Sequence, residues 1–344
     1  MNKKRMLRKT INMTILAVMF VMTGCGGKKD KSDAESWQHA EGMVWNTEYH
    51  ITYNGQQELK DSILTVLERV GNSLNVFDEN SLVSRVNRQD TTPVNDDFVM
   101  VYTASQKIHR VTGGAFDPTL EPLIKAWGFG PGHQASADTA RIDSLMAFVG
   151  LDKTRLRRDA LVKDDSRVRF NFSAIAKGYG CDCIGAMFTR HGVSDWLVEI
   201  GGEVAVSGFS PSGGKWKIAV DRPVFQKDTI VHDPECIVEF TDMGMATSGN
   251  YRNFHAGADG QTYGHTISAK TGRPAGTDVI SATVVARTCM EADALATSFM
   301  ATGSHTAREL NKSLRLPVML VLTDSTVWTS EQFDRLLVTP SGND

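Results

Sequence analysis

Val279-Ile280-Ser281-Ala282-Thr283-Val284-Val285-Ala286, then Arg287-Thr288-Cys289, then Met290-Glu291-Ala292-Asp293-Ala294-Leu295-Ala296-Thr297 is the stretch on which the fold class turns. The first run is rich in β-branched residues, the composition of a strand. The last is helix-like and places the Asp293 carboxylate and the Thr297 hydroxyl four residues apart. On an α-helix that spacing sets both oxygens on one face, one turn apart. Small residues around them allow another segment to come close. Carboxylate and hydroxyl are hard oxygen donors that suit Mg²⁺ and suit zinc or copper poorly. Taken alone, such a pair is more often a solvated pair or a local hydrogen bond.

Working outward, further strand-like runs cover residues 48–53, 196–200, 215–220, 236–240 and 317–323. Helical patterns cover 59–74, 98–112, 137–149, 175–191, 290–302 and 306–314. Residues 111–131 are rich in Gly and Pro and predict an ordered loop. The mixture predicts an α+β (mixed α/β) fold of packed helices and antiparallel-rich sheets, forming one domain over 41–338 with a short tail at 339–344. No internal repeat is visible, and no linker divides the domain.

The N-terminus carries an address. Lys3, Lys4, Arg5, Arg8 and Lys9 precede a short apolar core from Ile11 to Met22, too short for a comfortable membrane span. It ends in Met22-Thr23-Gly24-Cys25, which resembles a lipoprotein box with Cys25 as the lipidated first mature residue; Met22 stands where Leu is usual. The expectation is a signal peptide over 1–24, a flexible polar tether over 25–40, and a chain lipid-anchored at a bacterial membrane with its globular part in the periplasm. The alternatives are an ordinary cleaved signal and an uncleaved anchor.

The remaining chain, roughly 300 residues, is ample for a large core. A net charge of −3 gives no basic surface for nucleic acid. With Cys25 assigned to lipid, Cys181, Cys183, Cys236 and Cys289 lack partners at zinc spacing and read as buried or unpaired thiols.

Three more segments suit a phosphorylated ligand. Ser173-Ala174-Ile175-Ala176-Lys177-Gly178-Tyr179-Gly180 follows the strand-like run Val168–Phe172, with Ser173 placed to cap a helix whose N-terminus favours phosphate. Lys177 adds an ammonium. Gly113-Gly114-Ala115-Phe116-Asp117-Pro118-Thr119 reads as a stiff turn, and Thr247-Ser248-Gly249-Asn250-Tyr251-Arg252 offers hydroxyls and a guanidinium. With Trp127-Gly128-Phe129-Gly130, Gly264-His265-Thr266-Ile267 and Thr271-Gly272-Arg273-Pro274, these motifs resemble, in order from about Trp45 to Gly303, the FAD:protein FMN transferase (ApbE) family.

The resemblance implies Mg²⁺ as cofactor and FAD as substrate. It implies metal ligation by the Ala174 carbonyl, Asp293 and Thr297. It implies FAD contacts at Trp45, Phe77, Ala115, Phe116, Asp117, Lys177, Ser248, Arg252 and Ile267. Trp45-Asn46-Thr47 stands where the family has Met-Gly-Thr, and Phe77 where it often has Tyr. His265 and Asp293 are the candidates to take the acceptor's proton. The implied reaction transfers FMN to a Thr or Ser hydroxyl of an exported flavoprotein subunit and releases AMP. Two rival activities are a Mg-dependent FAD pyrophosphatase and a non-catalytic flavin-binding lipoprotein. Trp127-Gly128-Phe129-Gly130 reads as structural support, and Thr271–Pro274 as a tight turn.

Overall fold

The computed structural model describes residues 36–89, 91–129, 139–226, 229–249, 254–256 and 262–338. The expected signal peptide, Cys25, Arg252 and the tail at 339–344 lie outside them. A hairpin of β1 (Trp37–Val44) and β2 (Thr47–Asn54) leads to α1 (Lys60–Leu74) and α2 (Leu82–Val86). Then come β3 (Thr91–Pro93), α3 (Asp96–Val111), α4 (Glu121–Ala126), α5 (Thr139–Met146), β4 (Thr154–Arg157) and β5 (Ala160–Lys163). Helix α6 (Ala176–Arg190) precedes β6 (Trp196–Ile200), β7 (Glu203–Ser207), the long hairpin β8 (Trp216–Gln226) and β9 (Thr229–Phe240), and β10 (Met243–Gly249). The chain ends through β11 (Phe254–Ala256), β12 (Thr262–Gly264), β13 (Val279–Ala286), α7 (Cys289–Leu314), β14 (Val318–Leu322), β15 (Val327–Thr329) and α8 (Glu331–Asp334). None of the described helices is long and apolar enough to cross a membrane.

The main sheet has the order β1-β2-β6-β7-β10-β13-β14-β15, which is also chain order. Each neighbouring pair is antiparallel. Both faces are buried. On β14, Val318, Leu320 and Leu322 join the core beneath α1, α6 and α7, while Met319 and Val321 join a second core under β8, β9 and α8. The same alternation splits Ala205 from Val204 and Val206 on β7. Side chains of a strand point to opposite faces in turn, so a strand covered on both sides reads as a continuous apolar run. That accounts for the unbroken run Val284-Val285-Ala286.

The longer helices follow the sequence expectation closely. Helix α7 is interrupted at Gly303 (φ 81°, ψ 164°), which reconciles one element with the two patterns at 290–302 and 306–314. Three expectations need correction. The tether ends early, because Trp37 already belongs to β1 and packs edge-on against Trp216, with ring centroids 5.9 Å apart. Val168–Phe172 joins no sheet and makes a single isolated bridge, Arg169 with Leu120. Asn87 occupies the backbone polar groups of Phe170 instead, accepting from its N–H (2.6 Å) and donating to its carbonyl (2.8 Å). Ser173 is exposed and does not cap α6, whose N-cap residue is Ile175 with no side-chain cap.

Strand β10 escaped sequence reading because Gly and small residues fill it. Gly244 is required there: a Cβ would stand 2.2 Å from the backbone nitrogen of Cys289.

Candidate functional site

The site grows from the first turn of α7. Thr288 caps it, accepting from the Glu291 N–H at 3.2 Å. Asp182, from α6, adds a carboxylate cap: its two oxygens accept from the N–H groups of Cys289 and Met290, each at 2.9 Å. A negative group at a helix N-terminus is favourable. Burial nevertheless pushes the Asp182 carboxyl up to about 6, against the two N–H donors that hold it down. Glycines let the surrounding backbone close in. Gly178 of α6 faces the same turn as Gly244, and a Cβ on it would lie 2.3 Å from the Cys289 carbonyl oxygen. The start of α7 is thus wedged between α6 and β10.

One turn further on, Asp293 is 2% exposed and accepts a hydrogen bond from the Gly178 N–H at 3.1 Å. Burial raises its carboxyl above the ordinary range; the Lys177 ammonium and the Gly178 N–H oppose that rise. Thr297, the next turn along, shares a hydrogen bond of 3.0 Å with the hydroxyl of Ser248 on β10. Four expected site residues, Lys177 on α6, Asp293 and Thr297 on α7 and Ser248 on β10, are therefore brought to one junction. Ala174 is half-buried on the segment entering α6. The donor set that the resemblance implies is a buried carboxylate, a hydroxyl and a peptide carbonyl. No group of three His, Cys, Asp or Glu able to hold a metal occurs among the described residues. A single carboxylate with neutral oxygens fits a hard divalent cation and excludes a thiolate or imidazole site. The four cysteines among the described residues are free thiols, as expected.

Lys177 pairs with Glu203 at 3.1 Å. Glu203 opens β7 just after the turn Gly201-Gly202, where φ is 63° and 98°. The turn is held by the Glu199 carboxylate, which accepts from the Gly202 N–H at 3.0 Å.

The other motif residues divide between core and surface. In the Ala115–Thr119 segment, the Phe116 side chain is buried in the core and its carbonyl accepts from His109 at 2.8 Å. The Asp117 carboxylate is engaged within the fold: it accepts from Thr119 N–H (2.8 Å) and hydroxyl (2.5 Å) and from Leu151 N–H (3.2 Å). Ile267 is also buried, packed with Leu120 and Leu123. Any contact of Phe116 or Ile267 with a ligand therefore falls to backbone. Phe77 is 46% exposed. Trp45 sits at positive φ (48°), and its indole lies against Gly71 and Gly180. Trp127 and Phe129 pack in the small core of α4 and α5. Trp127 also donates to the Gly272 carbonyl at 2.9 Å, within the tight turn expected at Thr271–Pro274. His265 is half-buried, its ring 6.3 Å from that of Phe129.

Glu203, Asp182 and the pair Asn171–Glu121 are absent from the sequence-derived set. An acid directly after a Gly-Gly turn was the available signal for Glu203. Asp182 offered none. Asn171 accepts from the Ser173 N–H at 2.9 Å, shaping the entry to α6, and donates to buried Glu121 at 2.7 Å. Burial pushes Glu121 up to about 7, against the Asn171 bond, Lys125 and Arg169. A carboxyl raised in the folded state contributes stability in acid that is lost as pH climbs from its unfolded value through its folded one. Wild-type stability should therefore fall between about pH 5 and 8 from this group, by up to about 3 kcal/mol. Glu121→Gln should remove that slope and be the more stable protein at pH 8. Urea denaturation at both pH values checks this; parallel pH dependence in the two proteins would refute it.

Comparison with known proteins gives a consistent answer. The family model described as "ApbE family" matches residues 45–320. A Vibrio cholerae protein named FAD:protein FMN transferase is 31% identical over 323 residues, covering 90% of this chain and 93% of its own. The Escherichia coli K12 protein of the same name is 29% identical over 345 residues, covering 95% and 97%. The solved flavin transferase ApbE from Vibrio cholerae superposes with a TM-score of 0.79 at 30% identity, covering 88% of this chain and all of that one (100%).

Proposed function

This chain belongs to the ApbE family, and from that premise we propose that it transfers FMN from FAD to a Thr or Ser hydroxyl of an exported flavoprotein, with Mg²⁺ as cofactor and AMP as the other product. The observation that carries the proposal is the joint placement of Asp293, Thr297 and Lys177 at the junction of α6, α7 and β10, with the Asp293 carboxylate buried against Gly178. The Ala174 carbonyl, Asp293 and Thr297 would hold Mg²⁺, which when bound offsets charge developing on the pyrophosphate oxygens.

In the reaction, the acceptor oxygen bonds to the FMN-side phosphorus and the bridging P–O bond breaks. The electron pair leaves with AMP. The acceptor's proton passes to a base. Asp293 is buried and engaged with Gly178, whereas His265 is half-buried beside Phe129 and the more reachable by an incoming protein. His265 is therefore our choice for that role. Lys177 supplies positive charge for phosphate, and Ser248 orients the Thr297 hydroxyl. Trp45, Phe77, Arg252 and the backbone of Ala115, Phe116, Asp117 and Ile267 are assigned to FAD binding. Cys25 is proposed to tether the protein by lipid to a bacterial membrane, with the catalytic domain in the periplasm and facing its acceptors.

The test is incubation of the purified protein with FAD and Mg²⁺, with and without a co-expressed exported acceptor. AMP release that depends on acceptor, together with FMN mass on a hydroxyl side chain, is the expected result. AMP formed equally fast without acceptor would identify a pyrophosphatase instead. No AMP in either case would leave only flavin binding.

A further inference from the structure

Two buried carboxylates lie within the influence of one ammonium. Asp293 is 2% exposed and Glu203 4%. A carboxylate so far from water is costly unless paired. Lys177 Nζ lies 3.1 Å from Glu203, and the residue directly after Lys177, Gly178, donates its N–H to the Asp293 carboxylate at 3.1 Å. The two acids come from different elements, β7 and α7. Glu203 is anchored by the β6–β7 turn, where it pairs with Ile200 in the sheet. That turn also beds the lysine's stem: a Cβ on Gly201 would lie 3.3 Å from Lys177 Cδ.

We propose that Glu203 is a positioning residue that holds Lys177 to one side of Asp293, so that this carboxylate stays open to a divalent cation; the idea rests on the metal reading given above. An ammonium seated directly on Asp293 would neutralise it and have to be displaced by each incoming ion. Held on Glu203 at 3.1 Å, it leaves the cation's place unoccupied. Removing the Glu203 charge leaves Asp293 as the buried acid to which Lys177 turns.

The experiment measures Mg²⁺ binding to the full chain by calorimetry, without FAD, in wild type, Asp293→Asn, Glu203→Gln, Lys177→Met and the Glu203→Gln/Lys177→Met double variant. Glu203→Gln should raise the Kd tenfold or more. Adding Lys177→Met should return it to within threefold of wild type, and Lys177→Met alone should stay within that range. This rescue is what a merely structural glutamate, or one that itself binds the ion, would not show. An unchanged Kd in Glu203→Gln, or a double variant as weak as the single, overturns the positioning role while leaving the metal site standing. Should Glu203→Gln fail to fold, a tenfold loss in Lys177→Met alone overturns it as well. Wild type that binds Mg²⁺ no better than Asp293→Asn removes the metal reading and this inference together.

Discussion

Replacing Asp293 by asparagine should reduce FMN transfer at least about 10³-fold, equivalent to roughly 4 kcal/mol of transition-state stabilisation, the scale of a lost divalent cation. The substitution is chosen to leave the fold alone. Asparagine keeps an oxygen for the Gly178 N–H, which the carboxylate accepts at 3.1 Å. It also removes a buried charge whose ionisation is opposed by its surroundings. Without metal, the variant should therefore melt no lower than wild type. With Mg²⁺ at about a hundred times its Kd, wild type should gain about 2.7 kcal/mol of stability and the variant none. Transfer assays and thermal melts with and without Mg²⁺ decide the matter. Undiminished transfer, or a Mg²⁺-dependent gain that survives in the variant, would remove Asp293 from the metal site.

Gly178→Ala should destabilise the protein by about 3 kcal/mol or more, beyond the usual cost of an added methyl in a packed interior. The new Cβ would meet backbone, not a yielding side-chain end: the Cys289 carbonyl oxygen at 2.3 Å, its carbon at 2.6 Å and the Met290 nitrogen at 2.8 Å. Relief requires α6 and α7 to part, which also breaks the Gly178–Asp293 hydrogen bond. Transfer should fall more than tenfold even below the melting transition. Gly276→Ala is the control, since a Cβ there meets nothing within 4 Å. Urea denaturation of both variants, paired with transfer assays, measures the difference. A Gly178→Ala protein as stable as Gly276→Ala would show that the two helices do not need their close approach.

The helices and the mixed fold class were legible because amphipathic spacing and β-branched runs are local signals. Asp293 and Thr297 were legible for the same reason, lying one turn apart on a single helix. The partners that give them meaning were not. Asp182 caps α7 from 107 residues upstream, and Lys177 finds its counter-ion on β7 only because a glycine turn brings Glu203 there. Phe116 and Ile267 illustrate the converse. Their motifs were visible, but only packing shows that both side chains face the interior. For Asp117 the sequence offers a stiff turn, and the resemblance a ligand contact. Its bonds to Thr119 and Leu151 show the turn cap, and the ligand contact remains a proposal.

Because the main sheet runs in chain order, it can grow as the polypeptide emerges, each new strand joining a free rim and none threading between two already joined. The junction that would grip the cation closes late in that sequence. Asp293 follows β13, so a chain cut short after Ala286 could form six neighbouring strands and α6 yet lack the acid altogether. Catalytic competence would then arrive only once nearly the whole chain is available to fold.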